Sequence, residues 1–587
     1  MAGVHDVERA ENAMTTVPDM VIRGGTVVDG SGGEPFVADV AIAGGRIVEV
    51  GKIAARGAEE IDARGLLVTP GFVDIHTHYD AQVTWGSSLA SSSWHGVTTA
   101  LIGNCGVGFA PCLPERRDML IKLMEGVEDL PEVVLTEGIP WNWQTFPEFL
   151  DALDARRYDM DVATQVPHAA VRVHVMGQRG ADREPATESE RLEMGRIAAE
   201  GIRAGALGFS TSRTIAHKTR AGEHTPTLGA AENELLAIAS ALRGVGAGWM
   251  QVISDYDDPE TEFAMLRRIA AASGRPMTTQ LLQRAHRPGL WRQMLDMIEV
   301  ANREGDRILG QVMGRPIGLM LGFELSQNPF FARPSYRTVA DLPFAERLAI
   351  LRQPDFRARL LAERTADPTM ARRLNNWESL FALGDPPDYE PPPEASVAAI
   401  AARRGLTPDE VAYDLMMERD GRGILNHPVI NYGGGNLDGV KVMVEHPDTL
   451  LGLGDGGAHV GLICDASSTT HLISHWTRDR TRGPRLPLQF AIKRLSRDNA
   501  LALGLADRGL VAAGHKADIN VIDHGRLSVR VPEVRYDLPA GGKRMVQRAD
   551  GYVATLVSGV VVHREGEPTG ALPGRLVRGA QRGAATT

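Results

Sequence analysis

Apolar positions along this chain fall into two textures. Residues 19–67 hold short runs such as Met20-Val21-Ile22, Thr26-Val27-Val28, Val40-Ala41-Ile42 and Ile47-Val48, separated by the turn-forming Asp29-Gly30-Ser31-Gly32-Gly33 and Gly44-Gly45. Runs of that length bounded by glycine predict a small antiparallel β-domain. The texture returns in residues 506–570, where Ile519-Asn520-Val521-Ile522 and Ala554-Thr555-Leu556-Val557 lead through Ser558-Gly559 into Val560-Val561-Val562. Strands at both ends around a different middle predict one β-domain assembled from 19–67 and 506–570.

Residues 68–505 alternate strand-length apolar runs with stretches of helical period, the pattern of βα units and a parallel sheet. After a first run at Gly71-Phe72-Val73-Asp74-Ile75, strands are expected at 97–102, 161–166, 206–210, 248–253, 277–282, 308–313 and 450–454. Eight such strands with helices between them, for example at 187–204, 230–242, 260–272 and 289–303, predict an α/β fold of the (β/α)8 TIM-like barrel type. Thr187 with Glu190 forms a capping-box pattern at one helix start. The interval 315–449 breaks the rhythm with Pro386-Pro387 and Pro391-Pro392-Pro393. It is expected to be a long insertion near the barrel mouth, where lids and substrate pockets belong. Residues 1–18 read as a disordered leader and 571–587 as a C-terminal tail.

Composition narrows the class. The 587-residue chain carries a net charge of -11, which favours solubility and offers no general basic face for nucleic acid. No run approaches the roughly 20 apolar residues that span a bilayer, and the first residues lack an apolar secretion signal, so no membrane role is expected. Cys105, Cys112 and Cys464 make no disulfide framework. A reducing cytoplasm is the expected compartment, where a working cysteine is more readily a ligand or nucleophile.

Active sites of such barrels sit at the C-terminal ends of the strands, and three chemically apt groups fall there. His76 and His78, in Asp74-Ile75-His76-Thr77-His78-Tyr79-Asp80, share one face because strand side chains alternate. Two imidazoles on one face can chelate one metal ion. An arbitrary His-x-His is more often two polar residues leaving a strand; here the Pro70-Gly71 entry, the buried-type strand and Asp80 weigh toward a metal. Cys105, in Gly103-Asn104-Cys105-Gly106, is either a thiolate ligand or a small buried hydrophobe. Asp455, where an apolar run ends in Gly454-Asp455-Gly456-Gly457, is either a metal ligand and proton shuttle or an Asp-Gly turn.

Together these motifs resemble the amidohydrolase superfamily, and within it the N-acyl-D-amino-acid deacylase (D-aminoacylase) group. Met20–Asp29 followed by Pro70-Gly71-Phe72-Val73-Asp74-Ile75-His76-Thr77-His78 is similar to the superfamily's entry. Gly96-Val97-Thr98-Thr99 through Cys105-Gly106, and Gly205-Ala206-Leu207-Gly208-Phe209-Ser210-Thr211-Ser212, are similar to the D-aminoacylase group. So is Ala506-Asp507-Arg508-Gly509-Leu510 with Gly514-His515-Lys516-Ala517-Asp518. The resemblance implies a barrel flanked by a β-sandwich and metal-dependent hydrolysis of an amide. It implies Zn²⁺ or another divalent transition metal, as one or two ions. His76, His78 and Asp455 match one metal position, Cys105 the group's thiolate ligand, and Asp455 also the general acid/base.

The chain departs from the group in two places. Two further histidines belong at the ends of middle strands, but Trp249-Met250-Gln251-Val252-Ile253-Ser254-Asp255 and Pro276-Met277-Thr278-Thr279-Gln280-Leu281-Leu282-Gln283 contain none. His286 is displaced from the second by several residues. The group's substrate-carboxylate clamp has no residue-by-residue match either. Arg213 and Arg315, near strand ends, are candidates to hold an anionic substrate in bidentate fashion, and His217, His286 and His459 are candidates to face it. The expected function is hydrolysis of a small N-acylated substrate; the sequence does not fix the oligomeric state, and a homo-oligomer is open because barrels of this superfamily often pair or form tetramers. A cyclic amide, a lactone or a carboxyl lost by decarboxylation are the alternatives on the same fold, and an inactive ligand-binding barrel is the alternative outside catalysis.

Overall fold

The computed structural model describes residues 17–579; residues 1–16 of the leader expected over 1–18, and the end of the expected tail, 580–587, lie outside the described residues. Eight parallel strands make up the middle of the chain: Phe72–Asp74, Val97–Ile102, Asp161–Pro167, Gly208–Arg213, Trp249–Ser254, Met277–Gln280, Ile308–Val312 and Thr449–Leu451. Each pairs with the next in chain order. The ring closes just past the ends of the first and last strands. Thr77 bridges Gly456, the Asp455 N–H donates to the His76 carbonyl at 3.0 Å, and the His78 N–H donates to the Gly456 carbonyl at 2.8 Å. This is the (β/α)8 TIM-like barrel.

The third and fifth strands are buried along their whole length, as parallel strands covered on both faces must be. The last strand stops at Leu451 rather than at 454. Gly452, Gly454 and a left-handed Leu453 (φ 60°) end the ladder there, so Asp455 sits on a loop. Among the helices, Glu188–Ala204 starts with the expected box: the Glu190 N–H donates to Thr187 Oγ1 at 3.3 Å and the Thr187 N–H to Glu190 Oε2 at 2.7 Å. No helix among the described residues is long and apolar enough to cross a membrane.

Both chain ends share one nine-stranded sheet. They meet where Leu67–Pro70 pairs antiparallel with Ile519–Ile522, Val68 lying opposite Val521. Ile22, Val27 and Val40 from one end pack with Ile519, Val521 and Leu556 from the other in a single core. Beyond the sheet the chain returns to the barrel: the Val162 N–H donates to the Arg575 carbonyl at 3.0 Å, and the Val577 N–H to the Val162 carbonyl at 2.7 Å.

Between the seventh and eighth barrel strands, Ile317–Leu321, Leu425–Ile430 and Phe381–Ala382 form a small antiparallel sheet. Helices close over it around Leu321, Phe323, Phe330, Leu351 and Met416. This lobe is shorter than the 315–449 the prolines suggest. Val440, Met443 and Val444 of the helix Asp438–Glu445 lie in the barrel core, because the last strand needs its own packing helix.

One buried acid pins the lobe to the barrel. Glu390 accepts two hydrogen bonds from Arg480 at 3.0 Å each, one from His475 at 2.9 Å and one from the Leu437 N–H at 3.0 Å. Burial by itself raises the Glu390 carboxyl, but the donors from His475, Arg480 and Leu437 outweigh it and hold it down at about 2. A depressed carboxyl stabilises the fold above its unfolded value and loses that contribution as pH falls through the folded one. Glu390→Gln is therefore expected to cost about 1.5–3 kcal/mol at neutral pH by leaving buried Arg480 with only the exposed Asp438 carboxylate as a charged partner. In thermal melts the gap between wild type and variant should shrink as pH falls from 4.5 toward about 2. A gap that is constant over that range would mean the carboxylate is not the anchor.

Candidate metal centre

His76 and His78 follow the first strand on the segment that closes the barrel, and both are buried. Their alternation survives beyond the strand because the Thr77 N–H still pairs with the Leu101 carbonyl at 3.1 Å. Nδ1 of His76 lies 2.7 Å from Gln311 Oε1, and Nδ1 of His78 lies 3.2 Å from Glu128 Oε1. With those nitrogens turned to protein acceptors, both Nε2 atoms face the same point. They stand 3.4 Å and 3.8 Å from Asp455 Oδ1, and His76 Nε2 is 3.2 Å from Cys105 Sγ. Donor atoms of His76, His78 and Cys105 all lie within 4.8 Å of one another.

The loops that bring Cys105 and Asp455 here are conformationally demanding. Cys105 (φ 56°), Asp455 (φ 43°) and His459 (φ 51°) all occupy the left-handed region, which L residues other than Asn, Asp and Gly rarely adopt. Cys105 is flanked by two positive-φ glycines without room for a side chain. A Cβ on Gly103 would meet the Gln165 carbonyl oxygen at 2.4 Å, and one on Gly106 would meet Thr211 Cα at 2.8 Å.

The charge distribution calls for a cation. Asp74, Asp80, Glu128 and Asp455 gather around the imidazoles, and among the described residues none has a Lys or Arg within ion-pair distance. Burial pushes Asp74 and Asp455 up to about 7 and Asp80 up to about 8. Burial, together with the Asp455 and Asp80 charges, lifts Glu128 well above the carboxylate range. Burial also raises the Cys105 thiol, and Asp455 adds to it. His76 is pushed down to about 4 by burial, against the bond to Gln311, and burial and the His76 charge push His78 well below the usual imidazole range. Neutral imidazoles are the ligand form. Buried Asp80 Oδ2 and Glu128 Oε2 have no hydrogen-bond partner. Four carboxyls, a thiol and two neutral imidazoles with no basic side chain fit a divalent transition metal, whose charge would offset the desolvation.

The other sequence candidates land in different settings. His217 lies at the rim, its Nδ1 2.9 Å from Ser212 Oγ, and burial holds it at about 4. His459 also lies at the rim, Nε2 3.9 Å from Glu128 Oε2, and its charge and that of His217 act on each other and on His78. Arg213 and Arg315 are corrected: neither is free to clamp a substrate. Arg213 is paired with Glu262 at 2.5 Å, and fully buried Arg315 is paired with Asp465 at 2.7 Å, bonded to the Cys464 carbonyl and stacked 4.0 Å over the Tyr389 ring. His286 is exposed on the loop after the sixth strand.

Sequence reasoning missed Glu128 and a set of buried glutamines. Glu128 ends the helix Arg117–Glu128 in line with buried Leu120 and Met124, so the available signal was an acid at i+4 on an apolar stripe. Gln251 stands in one of the segments that lack the group's histidine. Its Oε1 accepts the Cys105 N–H at 2.9 Å, and its Nε2 lies 2.9 Å from Asn104 Oδ1 and 3.0 Å from His76 Nδ1. Gln280, in the other, is bonded to the Ser254 backbone. An amide in each of these buried strands was the visible sign of a polar layer.

Barrel, closing seam and metal-type cluster together define a metal-dependent hydrolase architecture. The chain belongs to the amidohydrolase family, whose model matches residues 59–563, and it is a hydrolase of carbon–nitrogen bonds other than peptide bonds. It is 27% identical to the N-acyl-D-aspartate deacylase of Alcaligenes xylosoxydans xylosoxydans over 95% of both chains. Among solved structures it resembles a D-aminoacylase with a binuclear metal centre described by one-metal activation and second-metal attenuation (TM-score 0.63, 22% identity, 96% of this chain and 100% of that one). It also resembles the N-acyl-D-glutamate deacylase of Bordetella bronchiseptica in complex with zinc and a phosphonate inhibitor (TM-score 0.62, 22% identity, 96% and 100%).

Glu128→Gln is expected to weaken metal affinity about 10–100-fold, the usual cost of losing a carboxylate behind a ligating imidazole. Competition of metal-loaded protein against a chelator, read by elemental analysis, measures it. In metal-free protein the same change should not lower the melting temperature, because it removes one acid from a crowded negative cluster. Equal affinity in the two proteins would detach Glu128 from the centre.

Proposed function

We propose that this protein hydrolyses the amide bond of a small N-acylated, amino-acid-like substrate using a single divalent cation, zinc or another transition metal. The observation that carries the reading is the meeting of His76 Nε2 and His78 Nε2 at the Asp455 carboxylate, with Cys105 Sγ 3.2 Å from His76 Nε2. Those four residues would hold the ion. Support for one ion comes from Gln251 and Gln280, whose amides are committed to protein partners where the group has histidines. The D-aminoacylase that one metal activates is consistent with that count. The deacylases among its relatives support the N-acyl substrate class.

A cation at these donors supplies Lewis acidity, lowering the pKa of water from 15.7 toward roughly 7 and polarising a carbonyl. The chain's own residues do the rest. Asp455 takes the proton of the attacking water and delivers it to the departing nitrogen, which cannot leave as an anion. Gln311 and Glu128 keep the two imidazoles turned inward. His217 and His459, neutral at the rim, face the substrate and offer it hydrogen bonds. Phe331, Tyr336 and Arg373 of the insertion lobe line one cavity with His459 beside the centre.

Asp455→Asn is expected to retain most of the bound metal and to lose about 10²–10⁴-fold in turnover, the range for a general acid/base. Metal content by elemental analysis and hydrolysis of a panel of N-acyl-D-amino acids, cyclic imides and lactones measure both. Turnover at the wild-type rate would remove Asp455 from the mechanism, and a preference for imides or lactones would replace the substrate class.

A further inference from the structure

Next to the metal centre lies a chamber of about 770 Å³. His459 through Ile463 form part of its wall on the barrel side, and Asp129, adjoining Glu128, stands on the same wall. Opposite are Phe331, Tyr336, Arg347 and Arg373 of the insertion lobe, with Lys543 from the C-terminal segment. Sites of roughly 300–1,000 Å³ hold drug-sized ligands, much larger than one amino-acid side chain. Leu319, Leu325 and Phe331 give the chamber an apolar side.

Its cations are short of counter-charge. A fourth, Arg220, is matched by Glu125 at 3.0 Å. Arg347, Arg373 and Lys543 have no carboxylate within ion-pair distance among the described residues. Lys543 Nζ donates to the Glu324 carbonyl at 2.9 Å, while the Glu324 carboxylate goes to Arg422 at 3.2 Å. Arg347 donates to the Ala340 carbonyl at 2.5 Å, and its buried Nε has no partner. Besides Glu125, two acids line the same space. Asp129 already accepts from the Gly461 N–H at 3.1 Å and Ser326 Oγ at 3.2 Å, and Asp341 is exposed. Burial, then the neighbouring Arg347 charge, push the Lys543 ammonium below its ordinary range, and burial does the same to Arg373.

We propose that this chamber selects extended amide substrates with a carboxylate or phosphate at the end remote from the scissile bond, received by Arg347, Arg373 and Lys543 across an apolar spacer. The inference rests on the amide-hydrolase reading and adds to it the shape and charge of the substrate. An anion there would meet guanidinium forks suited to bidentate recognition and a partly buried ammonium.

The test uses metal-loaded, full-length protein and N-acyl-amino-acid substrates that differ only at the end of one arm: methyl, carboxylate or phosphate monoester. The arm is varied on the acyl side and on the amine side in turn. The charged ends are expected to raise kcat/KM at least tenfold over methyl, and the larger gain tells carboxylate from phosphate. Lys543→Met and Arg373→Gln, both at partly open positions, should collapse that preference, with Lys543→Arg restoring it. No charge preference, or one that both variants leave intact, overturns the proposal. Calorimetric titration with glutarate and with glycerol 3-phosphate separates the two readings. If no amide is hydrolysed, the amide-hydrolase reading fails, yet binding that is lost in Lys543→Met still supports the chamber; binding equal in all variants overturns it.

Discussion

Closure of the barrel and assembly of the metal-type cluster are the same event. The two backbone bonds that join the last strand's loop to the first strand's exit run from Asp455 to His76 and from His78 to Gly456. The residues that seal the ring are thus the residues whose side chains meet inside it. A parallel barrel leaves no free edge only if its first and last strands find each other. Here they do so over three residues, Asp74 ending one strand and Leu451 the other before the seam begins. Moving either loop by an ångström would open the ring and separate the donors together.

A second tie links that seam to the chamber. The His459 N–H donates to the Glu128 carbonyl at 2.6 Å, and the Gly461 N–H donates to the Asp129 carboxylate at 3.1 Å. Glu128 faces the imidazoles and Asp129 faces the chamber, so one helix end is read on two sides. The loop after the last strand is held to that helix end by its backbone. One helix end therefore anchors both the loop beside His78 and the wall of the chamber.

Much of this was legible in the chain. Strand alternation put His76 and His78 on one face, and the strand-end rule for such barrels singled out Cys105 and Asp455. The β-domain was visible because both ends carry the same short apolar runs. What was not legible depends on contacts between distant segments. Arg213 and Arg315 look like clamps by position, but their partners Glu262 and Asp465 lie far along the chain and no local pattern pairs them. Glu128 enters from an extra helix after the second strand, outside the strand-end rule. The cationic chamber takes Arg347 and Arg373 from the lobe and Lys543 from the C-terminal segment, so it exists only once the chain has folded back on itself. The lobe's far boundary was misjudged because proline marks irregular structure, not domain ownership.

A layer of buried glutamines keeps the barrel's polar interior hydrogen-bonded. An apolar residue at 251 would leave the Cys105 N–H without a partner, at a cost of about 1–3 kcal/mol. Gln251 Oε1 accepts that N–H at 2.9 Å, and its Nε2 donates to Asn104 Oδ1 at 2.9 Å. Gln165 adds a bond to Asn104 at 2.8 Å and accepts from Trp249 Nε1 at 2.7 Å. An amide is uncharged and a poor transition-metal ligand beside imidazole and thiolate. Gln251 therefore fixes the backbone at Cys105 without adding an imidazole donor to the cluster. The left-handed turns at Cys105 and Asp455 are each held through their own N–H, which donates to a neutral acceptor, Gln251 Oε1 and the His76 carbonyl.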